Sequence, residues 1–159
     1  MKSSETPKWF LDALAQKPDI KSVKIKGSKI SYNCWGEKNK PGLIFVHGGM
    51  AHADWWNFIT PYFLKTHRVI AMNLGGMGDS EWRKEYSTEA WGLEIEGVCK
   101  KEKLKKPIII GHSLGGMCGV YAASVMKKSL YGLVIVDTAI LPPSDKPPKF
   151  DFKIRANKT

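Results

Sequence analysis

A chain of 159 residues is the size of one domain on the usual scale of ~100–200 residues, large enough to build a core without staples. With 43% hydrophobic, 25% charged and 11% aromatic residues, it reads as an ordinary globular domain, which excludes collagen-like, low-complexity and largely disordered chains. The formal net charge is +10, yet only Arg68, Arg83 and Arg155 stand among the 25 basic residues. Lysine-rich surfaces lacking the bidentate arginine fork read as solvated faces, not as a nucleic-acid interface.

Thr6-Pro7 predicts a helix start, with proline in the first helical position, running through Leu14 and ended by Pro18. Two alternating segments follow, Ser22 to Gly27 and Lys29 to Gly36, which predict an antiparallel pair turned at Gly27-Ser28. Beyond the polar loop Glu37 to Pro41 come four nearly continuous apolar runs: Leu43 to Val46, Val69 to Met72, Pro107 to Ile110 and Leu133 to Val136. Continuous apolar strands belong to parallel sheets covered on both faces. Between them, Ser87 or Thr88 caps a helix whose Trp91, Ile95 and Val98 recur on one face. Another helix runs from Leu114 to about Lys127, with Gly115, Gly119, Ala122 and Ala123 as a small-residue stripe. Lys100 to Lys106 and Lys127-Lys128 close these helices, where cations complement the dipole. Strand alternating with helix gives right-handed crossovers and an α/β architecture, mostly parallel, with an N-terminal antiparallel hairpin.

Three strand ends carry the chemistry expected of such sheets, because ligands collect at the carboxyl ends of the strands. Gly111-His112-Ser113-Leu114-Gly115 is G-x-S-x-G in strand–turn–helix context. The tight turn would lift Ser113 above the sheet as a nucleophile, and the following helix start offers free N–H groups to a developing oxyanion. His47-Gly48-Gly49-Met50 is the second. Acyl transfer needs two oxyanion donors, and the candidates are the backbone N–H groups of Leu114 and Gly49, with Met50 in reserve. The third, Asn73 to Ser80, is neither a P-loop nor a dinucleotide fingerprint, so it reads as a structural turn in which Asp79 and Ser80 make local hydrogen bonds.

In this order, the hairpin, the HGG strand end, the glycine loop with Gly-x-Gly-Asp-Ser and the GHSLGG elbow resemble the α/β-hydrolase superfamily from Ser22 to about Pro143. The glycine loop departs from the usual D-x-x-G-x-G-x-S, with Asn73 in place of Asp. A serine at the elbow, in place of the aspartate of the resembling dehalogenases and epoxide hydrolases, implies an ester, thioester, amide or activated C–C carbonyl substrate. The resemblance implies a triad of Ser, then Asp or Glu, then His in chain order. None of His47, His52, His67 and His112 follows Ser113. His52 lies at the correct edge as a weak candidate base, its alternative being an exposed loop histidine. Asp137 is a weak candidate acid, its alternative a strand-end residue capping a turn. Met50, Trp55, Trp56 and Met117 are weak candidates to line a pocket.

The resemblance also implies eight strands, whereas about six are legible here. The expectation is therefore the N-terminal portion of a hydrolase: a core over residues 1–139, then the start of a lid or a tail over 140–159, with the acid and His supplied from elsewhere and the isolated chain feebly active at best. Leu133 to Val136 would be a bare edge, open to pairing or aggregation. The alternative is a non-catalytic small-ligand-binding module on the same fold. No cofactor, metal, nucleic-acid or membrane partner is expected. No apolar run reaches the ~18–20 residues of a membrane span, no secretory leader is legible, and Cys34, Cys99 and Cys118 form no CxxC. A cytoplasmic, reducing location is the expectation.

Overall fold

The structure is a computed structural model that describes residues 6–139. The expected lid-like segment at 140–159 lies outside the described residues. Helix α1 spans Lys8–Ala15 and is entered through Pro7, which occupies the N-cap with no side-chain capping bond. The helix therefore begins one residue later than Thr6-Pro7 implied. Strands β1 (Asp19–Ile25) and β2 (Ser28–Trp35) pair antiparallel, with Ile25 opposite Ser28. The turn is thus Lys26-Gly27, both at positive φ (46° and 89°), not Gly27-Ser28. Two left-handed residues define the hairpin turn whose twist matches its strands.

Strands β3 (Gly42–Val46) and β4 (Arg68–Met72) are buried at every position, as the apolar runs Leu43 to Val46 and Val69 to Met72 require, with the buried Arg68 paired to Glu102. Two 3-10 turns, Ala53–Trp56 and Thr60–Phe63, connect them. Helix α2 (Thr88–Lys101) follows, capped by Ser87, whose side chain accepts from the Ala90 N–H at 3.1 Å. Then come β5 (Ile108–His112), α3 (Leu114–Met126) and β6 (Gly132–Val136). The six strands lie in the order β1-β2-β4-β3-β5-β6, with β3, β4, β5 and β6 mutually parallel.

Helices α2 and α3 cover one face, where Trp91, Ile95 and Val98 pack with Ile44, Ile70 and Ile109. On the other face Phe45 packs against Trp56 with ring centroids 5.0 Å apart and planes tilted by 47°, so Trp56 belongs to the core. The glycines of α3 let it lie directly on the sheet. A Cβ on Gly115 would run into the carbonyl oxygens of Val46 and His47, and one on Gly119 would meet Leu133 and Ile109. Strand β6 departs from expectation. Its apolar sequence predicted burial on both faces, yet Val134 is 47% exposed and Ile135 and Val136 are also open. Among the described residues β6 pairs only with β5, so nothing covers its far edge.

Candidate active site

The carboxyl ends of β3, β4 and β5 meet at one margin of the sheet, and each is fixed by a different device. Ser113 sits between β5 and α3 at φ 50° and ψ −116°, a left-handed conformation that L-residues hold only where the surroundings over-determine it. The surroundings here do so. The Ser113 N–H donates to the Val136 carbonyl at 2.9 Å, and its carbonyl accepts from Gly116 N–H at 2.9 Å and from Thr138 Oγ1 at 3.0 Å. Side chains at Gly111 or Gly115 would collide with neighbouring backbone, which is why the motif needs both glycines. Among the described residues no side chain hydrogen-bonds Ser113 Oγ.

The loop after β3 lies against this turn. A Cβ on Gly48 would come within 2.8 Å of His112 Nδ1 and 3.3 Å of Ser113 Cβ, whereas one on Gly49 would meet nothing within 4 Å. Gly48 is thus the packing glycine and Gly49 faces open space. Met50 follows at φ 62° and is 70% exposed.

The four histidines separate into distinct environments. His47 is fully buried. Its Nε2 accepts from the Leu74 N–H at 3.1 Å, so the proton resides on Nδ1, which donates to the Gly48 carbonyl at 2.7 Å. Burial pulls its pKa down to about 4, and the neutral ring joins the β3 and β4 loops. His52 is exposed, 3.7 Å from Asp54. His67 precedes β4, at the opposite end of the sheet. His112 stacks on Trp55, with centroids 6.2 Å apart and planes at 9°. The carboxylate of Asp137, at the end of β6 and 91% exposed, lies 3.9 Å from His112 Nε2. Asp137 therefore faces the histidine of the elbow. Met117, in the first turn of α3, donates its N–H to the Ser113 carbonyl at 3.3 Å.

The glycine loop after β4 is organised by Asn73 and by a residue that periodicity did not single out. Asn73 Oδ1 accepts from Ala53 N–H at 2.6 Å, and its Nδ2 donates to Ser31 Oγ at 2.7 Å. This position uses a donor and an acceptor together, which an ionised Asp does not supply. Ser80 Oγ donates to the Asn73 carbonyl and accepts from Ser31 N–H. Beneath the loop, Glu94 is fully buried. Its carboxylate accepts from Gly75 N–H at 2.8 Å and Arg83 Nε at 2.9 Å, and burial raises its pKa against the pull of those partners. A helical glutamate flanked by apolar neighbours was the available signal.

Between the β3 loop at Met50 to His52, the glycine loop at Gly75 to Gly78, and the aromatic side chains of Trp82, Tyr86 and Trp91 lies a cavity of about 340 Å³. Of the weak pocket candidates, Met50 borders this cavity, while Trp55 covers His112 beside the serine turn. Among the described residues, no cluster of three or more His, Cys, Asp or Glu side chains is placed to hold a metal, and no helix is long and apolar enough to cross a membrane.

Sheet order, crossovers and strand-end loops together define an α/β hydrolase architecture. The profile of the alpha/beta hydrolase fold matches residues 41–158, and the chain belongs to this family. Its relatives are hydrolases and esterases. Human epoxide hydrolase 4 is 25% identical over 118 residues, covering 72% of this chain and 33% of that protein. An esterase of Mycobacterium tuberculosis is 28% identical over 116 residues, covering 72% of this chain and 38% of that one. Among solved structures, the thioesterase domain from the curacin biosynthetic pathway superposes with a TM-score of 0.70 at 25% identity, over 80% of this chain and 49% of that one. The chain spans well under half the length of these curated relatives.

Proposed function

We propose that this chain carries the nucleophile and oxyanion half of a serine hydrolase acting on an ester, thioester, amide or activated C–C carbonyl substrate. The observation that carries the reading is the left-handed Ser113, held between a strand end and a helix N-terminus with Gly48 packed against it. In the reaction, Ser113 Oγ attacks the carbonyl carbon and passes its proton to a base. The Leu114 and Gly49 N–H groups hold the oxyanion, the leaving group departs, and water releases the acyl group. Relatives named esterase and thioesterase support acyl chemistry. The human relative is named an epoxide hydrolase, and serine in place of the aspartate expected of that chemistry favours the acyl reading.

His47 is committed to two backbone partners, which removes it as a base; this reading takes the base from outside these residues, with His52 the weak candidate within them and Asp137 the weak candidate for the acid. The open edge of β6 supports pairing with another strand, and three buried free cysteines support a reducing, cytoplasmic setting. One observation favours the second reading, a non-catalytic small-ligand-binding module: Ser113 Oγ has no side-chain partner among the described residues.

Labelling with a methyl fluorophosphonate, read by mass spectrometry, decides between them. Ser113 Oγ displaces fluoride from phosphorus. The expected result is a single label at Ser113, absent in Ser113→Ala and forming far more slowly than in a hydrolase with a complete triad. Equal labelling of the Ser113→Ala variant overturns the nucleophile, and labelling at the rate of a complete triad overturns the missing base.

A further inference from the structure

We infer that the end of the molecule opposite the Ser113 turn is a docking face for an anionic phospholipid bilayer, built from the lysines of two neighbouring turns and Tyr131. The inference is independent of the hydrolase reading.

The sheet places the two turns. Residues 102–107 lead from α2 into β5, and residues 127–131 lead from α3 into β6. These strands are parallel with Ile108 opposite Gly132, and the Tyr131 N–H donates to the Pro107 carbonyl at 3.0 Å. The turns therefore lie side by side. The first also borders the start of β3, because a Cβ on Gly42 would come within 3.0 Å of the Leu104 side chain. Lys101, Lys103, Lys105 and Lys106 stand exposed on one side, Lys127 and Lys128 on the other. Ser113 follows the far end of β5, so a surface met by these lysines leaves the serine turn facing away from it.

The charge at this end is unopposed. Among the described residues none of the six lysines is in an ion pair, and the nearby carboxylates are committed elsewhere. The Glu102 side chain is 8% exposed and held by Arg68, Tyr32 and Lys21. Glu96 pairs with Lys100 at 2.9 Å, and Glu37 with Lys40 at 3.1 Å. At the Ser113 end the exposed lysines Lys26, Lys29 and Lys84 are matched by the exposed carboxylates Asp79, Glu81 and Asp137. The helix dipoles explain only part of this asymmetry. Lys101 ends α2 and Lys127 caps α3, but Lys103, Lys105 and Lys106 lie past the Glu102 C-cap, and the dipole's pull fades within the last turn. Lys103 and Lys106 also hold φ of 55° and 43°, where glycine is the unstrained choice.

The type of charge selects the partner. No arginine stands in either turn, and Arg68, at the start of β4, is buried against Glu102. Lysines are point charges on flexible stems, suited to a diffuse anionic surface and lacking the planar fork that grips single phosphates. Each contributes additively to attraction by anionic lipid. Tyr131 is 77% exposed among them, and an amphipathic ring in that place settles at the level of the headgroups.

The test is co-sedimentation of the chain with sucrose-loaded vesicles of phosphatidylcholine, alone or mixed with phosphatidylglycerol. The expected result is pelleting with the mixed vesicles only, lost as salt rises from about 0.1 M to about 0.5 M because screening shortens the reach of the charges. Replacing Lys101, Lys105 and Lys128 together by Gln weakens binding about a hundredfold, at roughly fivefold for each lysine. Replacing Lys24, Lys26 and Lys29 by Gln removes the same charge from the hairpin and changes binding by less than about threefold, and Tyr131→Ala weakens it several-fold. Lipid and salt dependence of the wild type stand by themselves if a variant does not fold. Equal pelleting with neutral vesicles, or none with either, overturns the face. Equal weakening by the two triple variants shows that net charge acts without a face, and overturns it as well. Tighter binding to duplex DNA than to the mixed vesicles at the same salt assigns the lysines to nucleic acid and overturns the bilayer.

Discussion

Strand β1, at one margin of the sheet, reads Asp-Ile-Lys-Ser-Val-Lys-Ile, whereas β6, at the other, reads Gly-Leu-Val-Ile-Val without a charge. Both are edges among the described residues, but only β1 has the chemistry of one. Its lysines interrupt the apolar run, with Lys24 exposed and Lys21 paired to Glu102 at 3.4 Å, the usual defence against edge-to-edge pairing. Strand β6 has an interior strand's composition in an edge strand's position. The contrast extends inward. On the β3–β4 side the loop polar groups find partners within the described residues: His47 with Leu74, Asn73 with Ala53 and Ser31, Glu94 with Gly75 and Arg83. On the β5–β6 side Ser113 Oγ has no side-chain partner among the described residues. Among the described residues the scaffold side is thus closed and the side of the reactive group open.

The largest expected effect tests how closed the first side is. Glu94→Ala leaves the Arg83 guanidinium and the Gly75 N–H without their buried acceptor. Removing one partner of a buried charge pair costs about 3–5 kcal/mol, read as a lower urea midpoint by tryptophan fluorescence. A loss below about 1 kcal/mol would mean that the glycine loop repacks freely, and the contrast between the two sides would weaken.

The second effect uses His47, whose ring is the hinge pin between the two loops. Its native pKa of about 4 lies below the ordinary value of 6.5, so the unfolded chain binds the proton first. Stability is complete above pH 6.5, declines as pH falls toward 4 and levels off below it, by about 3 kcal/mol for this group. Unfolding free energies of the wild type and His47→Gln, compared across pH 4–7, isolate it from the other acids. The wild type should lose that much more than the variant over the interval, and parallel curves would show that the ring is not buried in its neutral form.

These residues also mark where sequence reading reaches and where it stops. The buried strands were legible because β3 and β4 carry no polar residue in their interior, and the Ser113 turn because glycines flank a serine where backbone leaves no room for a Cβ. Glu94 was not legible. Three residues after Trp91 and four before Val98, it shares their apolar face, but a charge there has no partner on its own helix, and only the fold brings Arg83 and Gly75 to it. The hairpin slipped by one residue because Gly27 serves either turn, and strand register, with Val23 opposite Ile30, chose Lys26-Gly27. The openness of β6 was legible as an edge but not as exposed faces, because burial of a strand depends on what packs against it.

The smallest expected effect on stability addresses the two edges directly. Val134 pairs with Ile110 in register and is 47% exposed, so Val134→Lys places a charge on the open side of β6 at a cost of about 0.5 kcal/mol or less. Ile20→Lys makes the same change on β1, where Ile20 is 73% exposed. If β6 is the edge that another strand seeks, Val134→Lys lowers the light scattering of a concentrated solution while Ile20→Lys leaves it unchanged, because β1 already carries its lysines. Equal scattering from wild type and both variants would show that the two margins behave alike despite their sequences, and that the uncharged run of β6 does not recruit a partner.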